Sequence, residues 1–219
     1  MPVSFLQQRL FFPDPERADR TGLLAIGGDL SVERLLLAYR SGVFPWTVDP
    51  ITWWSPHPRA ILEFDGFHAS ASLQKLVDKK TFTITLDQAF ARFIEECAAS
   101  RLGREETWIS TEFIHAYIGL HRRGWAHSVE CWQNGTLVGG IYGVAIGGFF
   151  AGESMFYRVS NASKVALFHL VRHLERRGYE LFDLQEFTGI TRQLGGVKIP
   201  RQDYLQRLQT AVEKPCSFL

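Results

Sequence analysis

The segment Gly139 to Phe156, GGIYGVAIGGFFAGESMF, constrains this chain more than any other stretch. Its glycines are interleaved with Ile141, Tyr142, Val144, Ile146, Phe149 and Phe150. Glycine inside a strand marks a place where another backbone or a ligand comes close. Gly147-Gly148 supplies a turn, so the segment reads as a hairpin that ends in the polar pair Glu153 and Ser154. Further on, Leu181 to Gln185 (LFDLQ) alternates, with Asp183 and Gln185 on one strand face and Phe182 and Leu184 on the other. Hydrogen-bonding groups beside an apolar, glycine-thinned wall make a credible reaction site. Taken alone, the same residues also fit a core hairpin and a strand with one solvated face.

Length and composition narrow the field. A chain of 219 residues with 46% hydrophobic content forms one large domain, or a medium domain with a small appendage. Lys plus Arg is 24 against 23 Asp plus Glu, which excludes a protein coated in positive charge but leaves room for a local basic patch. Cys97, Cys131 and Cys216 lack CxxC spacing and suggest reduced thiols, with neither a disulfide frame nor a zinc site. The N-terminus is charged too early for a signal peptide, and no apolar run approaches the roughly 18 residues of a membrane span. A soluble cytoplasmic protein without a membrane partner is expected.

In chain order, residues 1 to about 60 read as irregular apart from one helix, Val32 to Ser41, capped by Ser31 and stopped by Gly42. Pro45, Pro50, Pro56 and Pro58 then imply a stiff loop carrying Trp46, Trp53 and Trp54. Such a loop presents rings to a planar ligand such as a base, or glues a small subdomain to the main one. From about residue 63 the pattern is regular. Thr81 to Leu86 predicts a strand, and Asp87 is expected to cap a helix with Phe90, Phe93, Ile94 and Cys97 inward. Ser110 to Arg123 predicts a second helix with Phe113, Ala116, Tyr117 and Leu120 inward, and Trp108 in the loop before it. Ala126 to Gln133 predicts a strand that turns at Asn134-Gly135 into the glycine-rich pair. A helix carrying Leu167, Leu170, Val171 and Leu174 follows, then LFDLQ, an irregular loop, and a last helix opened by Pro200. The expected class is α+β. A small N-terminal α/irregular domain (1–62) precedes a domain (63–219) with a mixed, mostly antiparallel sheet flanked by helices.

The order of strand, two helices, three antiparallel strands, helix, strand and helix resembles the GNAT acyltransferase fold. Acetyl-CoA users of that fold carry a Q/R-x-x-G-x-G/A loop before the helix that follows the hairpin, where this chain has YRVSNASK. The specific motifs point elsewhere. GLLAIGGDLS, YRSGVFPW, WWSPHPRAIL, TWIS, LVGGIYGV, GESMF, NASK, DLQ and IPRQDYL, collinear over nearly the whole chain, together resemble the leucyl/phenylalanyl-tRNA–protein transferase family.

That resemblance implies an enzyme that moves Leu or Phe, and less readily Met, from charged tRNA to the α-amine of proteins beginning with Arg or Lys, marking them for the bacterial N-degron route. It implies no cofactor or metal. Matched position by position, Tyr39, Trp46, Trp108, Glu153 and Ser154 would contact the aminoacyl adenosine. Ile141, Phe150 and Leu174 would form the donor side-chain pocket, and Asp183 and Gln185 the catalytic pair. An aminoacyl ester is already activated, and an α-amine with a pKa near 8 is partly neutral at pH 7. The enzyme therefore mostly aligns the nucleophile, which is worth up to ~7–11 kcal/mol of barrier. Asp183 would orient Gln185 and offset the charge developing on nitrogen, or relay its proton through water. An apolar pocket separates donors by only ~1–3 kcal/mol per methylene, so some promiscuity among them is expected. After DLQ the family usually continues with His-Leu and Ser-Leu-Gly. Here Ile190-Thr191 and Gln193-Leu194-Gly195 stand instead, so any role of that histidine or serine is absent. Lys75, Lys79, Lys80, Arg172, Arg176 and Arg177 are candidates for a phosphate-contacting surface, the seven histidines show no metal spacing, and a monomer is expected. A CoA-dependent N-acetyltransferase and a non-catalytic adaptor for charged tRNA or basic N-termini are the alternatives.

Overall fold

The structure, a computed structural model, describes residues 3–99 and 108–219, with residue 190 described by its backbone alone. Thr107 of the TWIS motif lies outside the described residues.

The N-terminal stretch is more regular than its prolines imply. Strands β1 (Ser4–Leu6) and β2 (Leu23–Gly27) precede helix α1 (Val32–Arg40), and β3 (Phe44–Val48) and β4 (Ile51–Trp54) follow it, forming a four-stranded sheet in the order β1-β2-β4-β3. Ser31 caps α1 as its sequence predicts, accepting from the Arg34 amide. The expectation of an irregular loop fails because each proline occupies a place a sheet tolerates. Pro45 lies in β3, an edge strand, and Pro50 lies in the turn between β3 and β4. Pro56 and Pro58 lie in the link to the next strand, β5 (Arg59–Leu62). Trp53 is fully buried, packs edge-on against Phe12 and donates from Nε1 to the Gly27 carbonyl, so it serves as structural glue.

Strand β5 joins the second, larger sheet. After α2 (Ala71–Asp78) come β6 (Thr83–Leu86), α3 (Phe90–Ala99), α4 (Thr111–Arg122), β7 (Ala126–Gln133), β8 (Thr136–Ile146), β9 (Phe149–Tyr157), α5 (Ala162–Arg176) and β10 (Leu181–Gln185). The segment after β10, expected to be irregular, forms the short helix α6 (Gly189–Gln193) and strand β11 (Gly196–Ile199) before α7 (Arg201–Val212). The seven strands run β11-β5-β10-β9-β8-β7-β6, and only the β9–β10 pair is parallel. This is the mixed, mostly antiparallel sheet expected, with α5 as the crossover between its parallel strands. Asp87 does not cap α3 as expected. Its φ of 56° turns it toward β7, where it accepts from the Ser128 amide and from His127 Nδ1, while Glu130 accepts from the Ala89 amide. Among the described residues no helix is long and apolar enough to cross a membrane.

One core lies on each face of the large sheet. On one face Tyr142, Val144, Ile146, Phe149 and Ala151 pack with α1, α3, α4, α7 and the small sheet. On the other, Ile141, Phe150 and Phe182 pack with α2 and α5. Strand alternation assigns each residue to its face, and the glycines of β8 let neighbours close in. A Cβ on Gly143 would run into the Ala151 carbonyl oxygen and meet the Phe150 ring at 2.5 Å. Gly143→Ala is therefore expected to lower unfolding free energy by about 3 kcal/mol, the upper range of overpacking costs. Urea denaturation checks this, and a loss under about 0.5 kcal/mol, the size of an ordinary surface change, would contradict the close packing.

Candidate active site

Strands β9 and β10 part soon after they meet. Their parallel ladder pairs Leu181 with Phe149, Phe182 with Phe150 and Asp183 with Ala151, and then ends. Both strands become irregular where it ends. In β9, Gly143 pairs with Gly152 and Tyr142 with Ser154, which leaves Glu153 as the extra residue of a bulge. In β10, Asp183 pairs with Ile61 and Gln185 with Ala60, which leaves Leu184 unpaired. Gln185 has φ 62°, and the Glu186 amide donates to the Leu184 carbonyl at 2.6 Å, closing a γ-turn around it. A non-glycine residue held in the left-handed region is costly and collects at functional sites. Across the opening Gln185 Nε2 donates to Glu153 Oε1 at 2.8 Å.

Below this bridge lies a buried ion pair. Arg59 Nε and Nη2 donate to Asp183 Oδ1 and Oδ2 at 2.9 and 2.7 Å, and the Tyr204 hydroxyl donates to Oδ2 at 2.9 Å. The Gln185 backbone amide completes the set at 2.8 Å to Oδ1. Arg59 lies against the rings of Phe44 and Tyr204, 4.8 and 4.5 Å from their centroids, and its Nη1 donates to the Gly42 carbonyl at 3.2 Å. Arg59 and Asp183 are at most 1% exposed. With four donors on two oxygens and no solvent, Asp183 has no free direction from which to take a proton from a substrate. It holds the Gln185 backbone in its strained turn. The side-chain amide of Gln185 is oriented by Glu153.

Glu153 has a different environment. The hydroxyls of Tyr39 from α1 and Tyr117 from α4 lie at hydrogen-bonding distance from its two oxygens, each at 2.8 Å, and are themselves 2.5 Å apart. Burial pushes the Glu153 carboxyl up to about 7, with the tyrosines and Gln185 pulling it down and nearby Asp183 pushing it further up. Burial and the same carboxylate drive the Tyr39 and Tyr117 hydroxyls well above the ordinary phenol range.

Of the residues the sequence singles out, the fold thus brings together Tyr39, Glu153, Asp183 and Gln185, all on the face that carries α1, α4 and α7. Ser154 is the next residue in the bulge. Trp46 is half-buried and unpaired in a bulge of β3, its ring near Phe44 and Trp54, and Trp108 lies edge-on to Phe113 beside Tyr117. Ile141, Phe150 and Leu174 lie elsewhere, buried in the core under α5 on the opposite face. The parallel ladder of β9 and β10 that separates the two groups ends at Asp183–Ala151. Arg59, Tyr117 and Tyr204 were missed as parts of this site. Arg59 carried the one usable signal, a charge set directly against the apolar run AIL. The six basic candidates are exposed on and just after α2 and on and just after α5, two helices that pack together. At the α5 N-terminus Ala162 and Ser163 are buried, and a Cβ on Gly139 would meet Ala162 Cβ at 2.7 Å, so a pyrophosphate has no open approach to those amides. Among the described residues no group of three or more His, Cys, Asp or Glu could hold a metal ion.

Comparison with known proteins identifies the family. The leucyl/phenylalanyl-tRNA protein transferase model matches residues 61–209, and the model of that family's N-terminal domain matches residues 28–57. The leucyl/phenylalanyl-tRNA–protein transferase of Desulforapulum autotrophicum is 50% identical over 217 residues, spanning 98% of this chain and 95% of its own. That of Syntrophotalea carbinolica is 48% identical over 223 residues, spanning 100% and 96%. Among solved structures, L-PGS from Bacillus licheniformis aligns with 15% identity and a TM-score of 0.42 over 74% of this chain and 52% of that one. A ribosomal-protein-alanine N-acetyltransferase from Brucella melitensis aligns with 18% identity and a TM-score of 0.36 over 57% and 89%. The chain belongs to the leucyl/phenylalanyl-tRNA–protein transferase family.

Proposed function

We propose that this protein transfers a leucyl or phenylalanyl group, and less readily methionyl, from charged tRNA to the α-amine of cytoplasmic proteins beginning with Arg or Lys, acting as a monomer. The product carries an N-terminal residue that marks it for N-degron degradation. The observation that carries the reading is the Gln185–Glu153 bridge across the gap between β9 and β10. Polar groups meet at that gap on one face of the sheet, and the apolar residues Ile141 and Phe150 are buried on the opposite face. An aminoacyl ester needs both: a pocket for its side chain and an edge that positions its carbonyl and the incoming amine.

Each side chain of the site takes a role in this reaction. With Nε2 committed to Glu153, the Gln185 side-chain carbonyl is left to accept a hydrogen bond from the attacking amine and aim its lone pair at the ester carbonyl. A neutral amide cannot act as a true base, so the gain is one of orientation. Asp183 is a positioning residue that fixes the Gln185 backbone. Trp46 and Trp108 hold the terminal adenosine by stacking, Tyr39 and Ser154 complete the polar edge, and the exposed bases on α2 and α5 meet tRNA phosphates. Leu174, at the last turn of α5, closes the far end of the donor pocket.

Transfer of labelled leucine from Leu-tRNA to two peptides differing only in an N-terminal Arg or Val, with no ATP, metal or CoA added, tests the reading. Label on the Arg peptide alone is expected, and Gln185→Ala should lower kcat roughly 100-fold. Label on neither peptide, with the charged tRNA intact, would sink the proposal. A separate expectation concerns the ion pair. Arg59→Met leaves Asp183 as an uncompensated buried charge and should cost about 3–5 kcal/mol of unfolding free energy, much of which the double variant R59M/D183L regains. Urea unfolding of both variants measures it. Equal losses in the two would show that packing, rather than the stranded charge, sets the cost.

A further inference from the structure

Three oxygen–oxygen contacts join Tyr39, Tyr117 and Glu153 in a closed ring: 2.5 Å between the hydroxyls, 2.8 Å from Tyr39 to Oε1 and 2.8 Å from Tyr117 to Oε2. Oxygens this close hold a proton between them, so the ring needs three. The hydroxyls supply two, since burial keeps both tyrosines from ionising. An ionised Glu153, an acceptor only, takes both, and the 2.5 Å contact is left without one. A proton on Oε2 resolves the conflict. Oε2–H then donates to Tyr117, Tyr117 to Tyr39, and Tyr39 to Oε1, which still accepts from Gln185 Nε2 at 2.8 Å.

The titratable and polar groups facing Glu153 are Tyr39 on α1, Tyr117 on α4, Tyr142 on β8, and Asp183 and Gln185 on β10. None is a cation. Arg59 is engaged by Asp183, and among the described residues Glu153 makes no ion pair. We propose that Glu153 is a neutral carboxylic acid in the resting enzyme and that Tyr117, by closing this ring of hydrogen bonds, is a positioning residue for Gln185. The inference rests on the reading of the active site given above, but two of its tests read protonation and stability whether or not transfer occurs. The carboxyl, pushed up to about 7 by burial and by Asp183, keeps its proton over most of the acid side of neutrality.

The sign of the pH effect follows by linkage. In the unfolded chain the carboxyl titrates near 4.5 and in the folded protein at about 7, so between these values the folded state holds a proton the unfolded state has lost. This group's contribution to stability therefore declines as pH rises through that window. E153Q puts an uncharged donor and acceptor on the same atoms, so it escapes the decline. The difference in Tm between E153Q and wild type, measured by calorimetry, is expected to widen in favour of E153Q from about pH 5 to 7.5. Infrared difference spectra below pH 7 are expected to show the carbonyl band of a protonated carboxylic acid in wild type and not in E153Q. Y117F should move that band to higher frequency, because the acid has lost its acceptor, and should lower kcat about tenfold with KM for charged tRNA unchanged. A constant Tm difference, or identical spectra for wild type and E153Q, would overturn the assignment. An unshifted band in Y117F would remove Tyr117 from the ring.

Discussion

The ion pair of Arg59 with Asp183 is the interaction on which the rest of the site depends. It ties β5 to β10, reaches the carbonyl of Gly42 just after α1, and includes Tyr204 of α7, so one guanidinium joins four separate parts of the chain. Burying two charges costs several kcal/mol per ion, which the pair recovers only if geometry is good and the remaining hydrogen bonds are made. Here both carboxylate oxygens are doubly engaged. Such a pair adds little net stability over apolar packing, and its value lies in fixing one arrangement. That arrangement includes the Gln185 amide at 2.8 Å, which keeps a non-glycine residue at φ 62° where the strand would otherwise run straight. The energy of the buried pair is thus converted into the position of one side chain.

The glycines of β8 and β9 complement this rigid point. Gly143 admits the Phe150 ring from the α5 side, and Gly152 admits Phe182, whose Cε2 lies 3.1 Å from where a Cβ would be. Aromatic rings therefore fill the space directly under the strands that part. In the proposed function, a donor side chain entering the gap would meet aromatic rings rather than backbone. The polar groups proposed to act on its ester lie on the opposite face, a separation that would hold the reacting carbonyl at the boundary between the two environments.

Much of this was legible in the sequence. The hairpins at Asn134-Gly135 and Gly147-Gly148, the helices from Ser31, Ser110 and Pro200, and the order of strands and helices around them follow from caps, turns and periodicity. What was not legible has a common cause. Trp46 and Glu153 are each the extra residue of a bulge, and Gln185 follows one, so period-2 counting does not describe their surroundings. Asp183 and Gln185 do share a face as the alternation said, but through a strained turn that no pattern reveals. The prolines misled because proline at a strand edge or hairpin turn looks, in sequence, like proline in a loop. Tyr117 was read as one more inward residue of an amphipathic helix, since periodicity reports that a side chain is buried and says nothing of what its hydroxyl meets.

Two carboxyl groups on one sheet face, separated by the gap between β9 and β10, end in opposite environments. Asp183 meets a guanidinium and two further donors of hydrogen bonds, the Tyr204 hydroxyl and the Gln185 amide, whereas Glu153 meets two phenols, an amide and the field of Asp183 itself. Such a division of environments assigns different roles to like residues. Here the charged group is the inner one, sealed from substrate, and the group that faces the opening is a neutral acid. For an acceptor of the kind proposed, with a positively charged first side chain, such a gap would offer no strong ion pair beside the nucleophile. In the proposed reaction the amine is met by the carbonyl of Gln185, whose orientation depends on Glu153 accepting from Nε2. Both the neutral acid and the anion can accept that bond, but only the neutral form leaves a proton for the 2.5 Å contact between the Tyr39 and Tyr117 hydroxyls, so in this proposal the orientation of Gln185 is tied to a proton held within a ring of four oxygens.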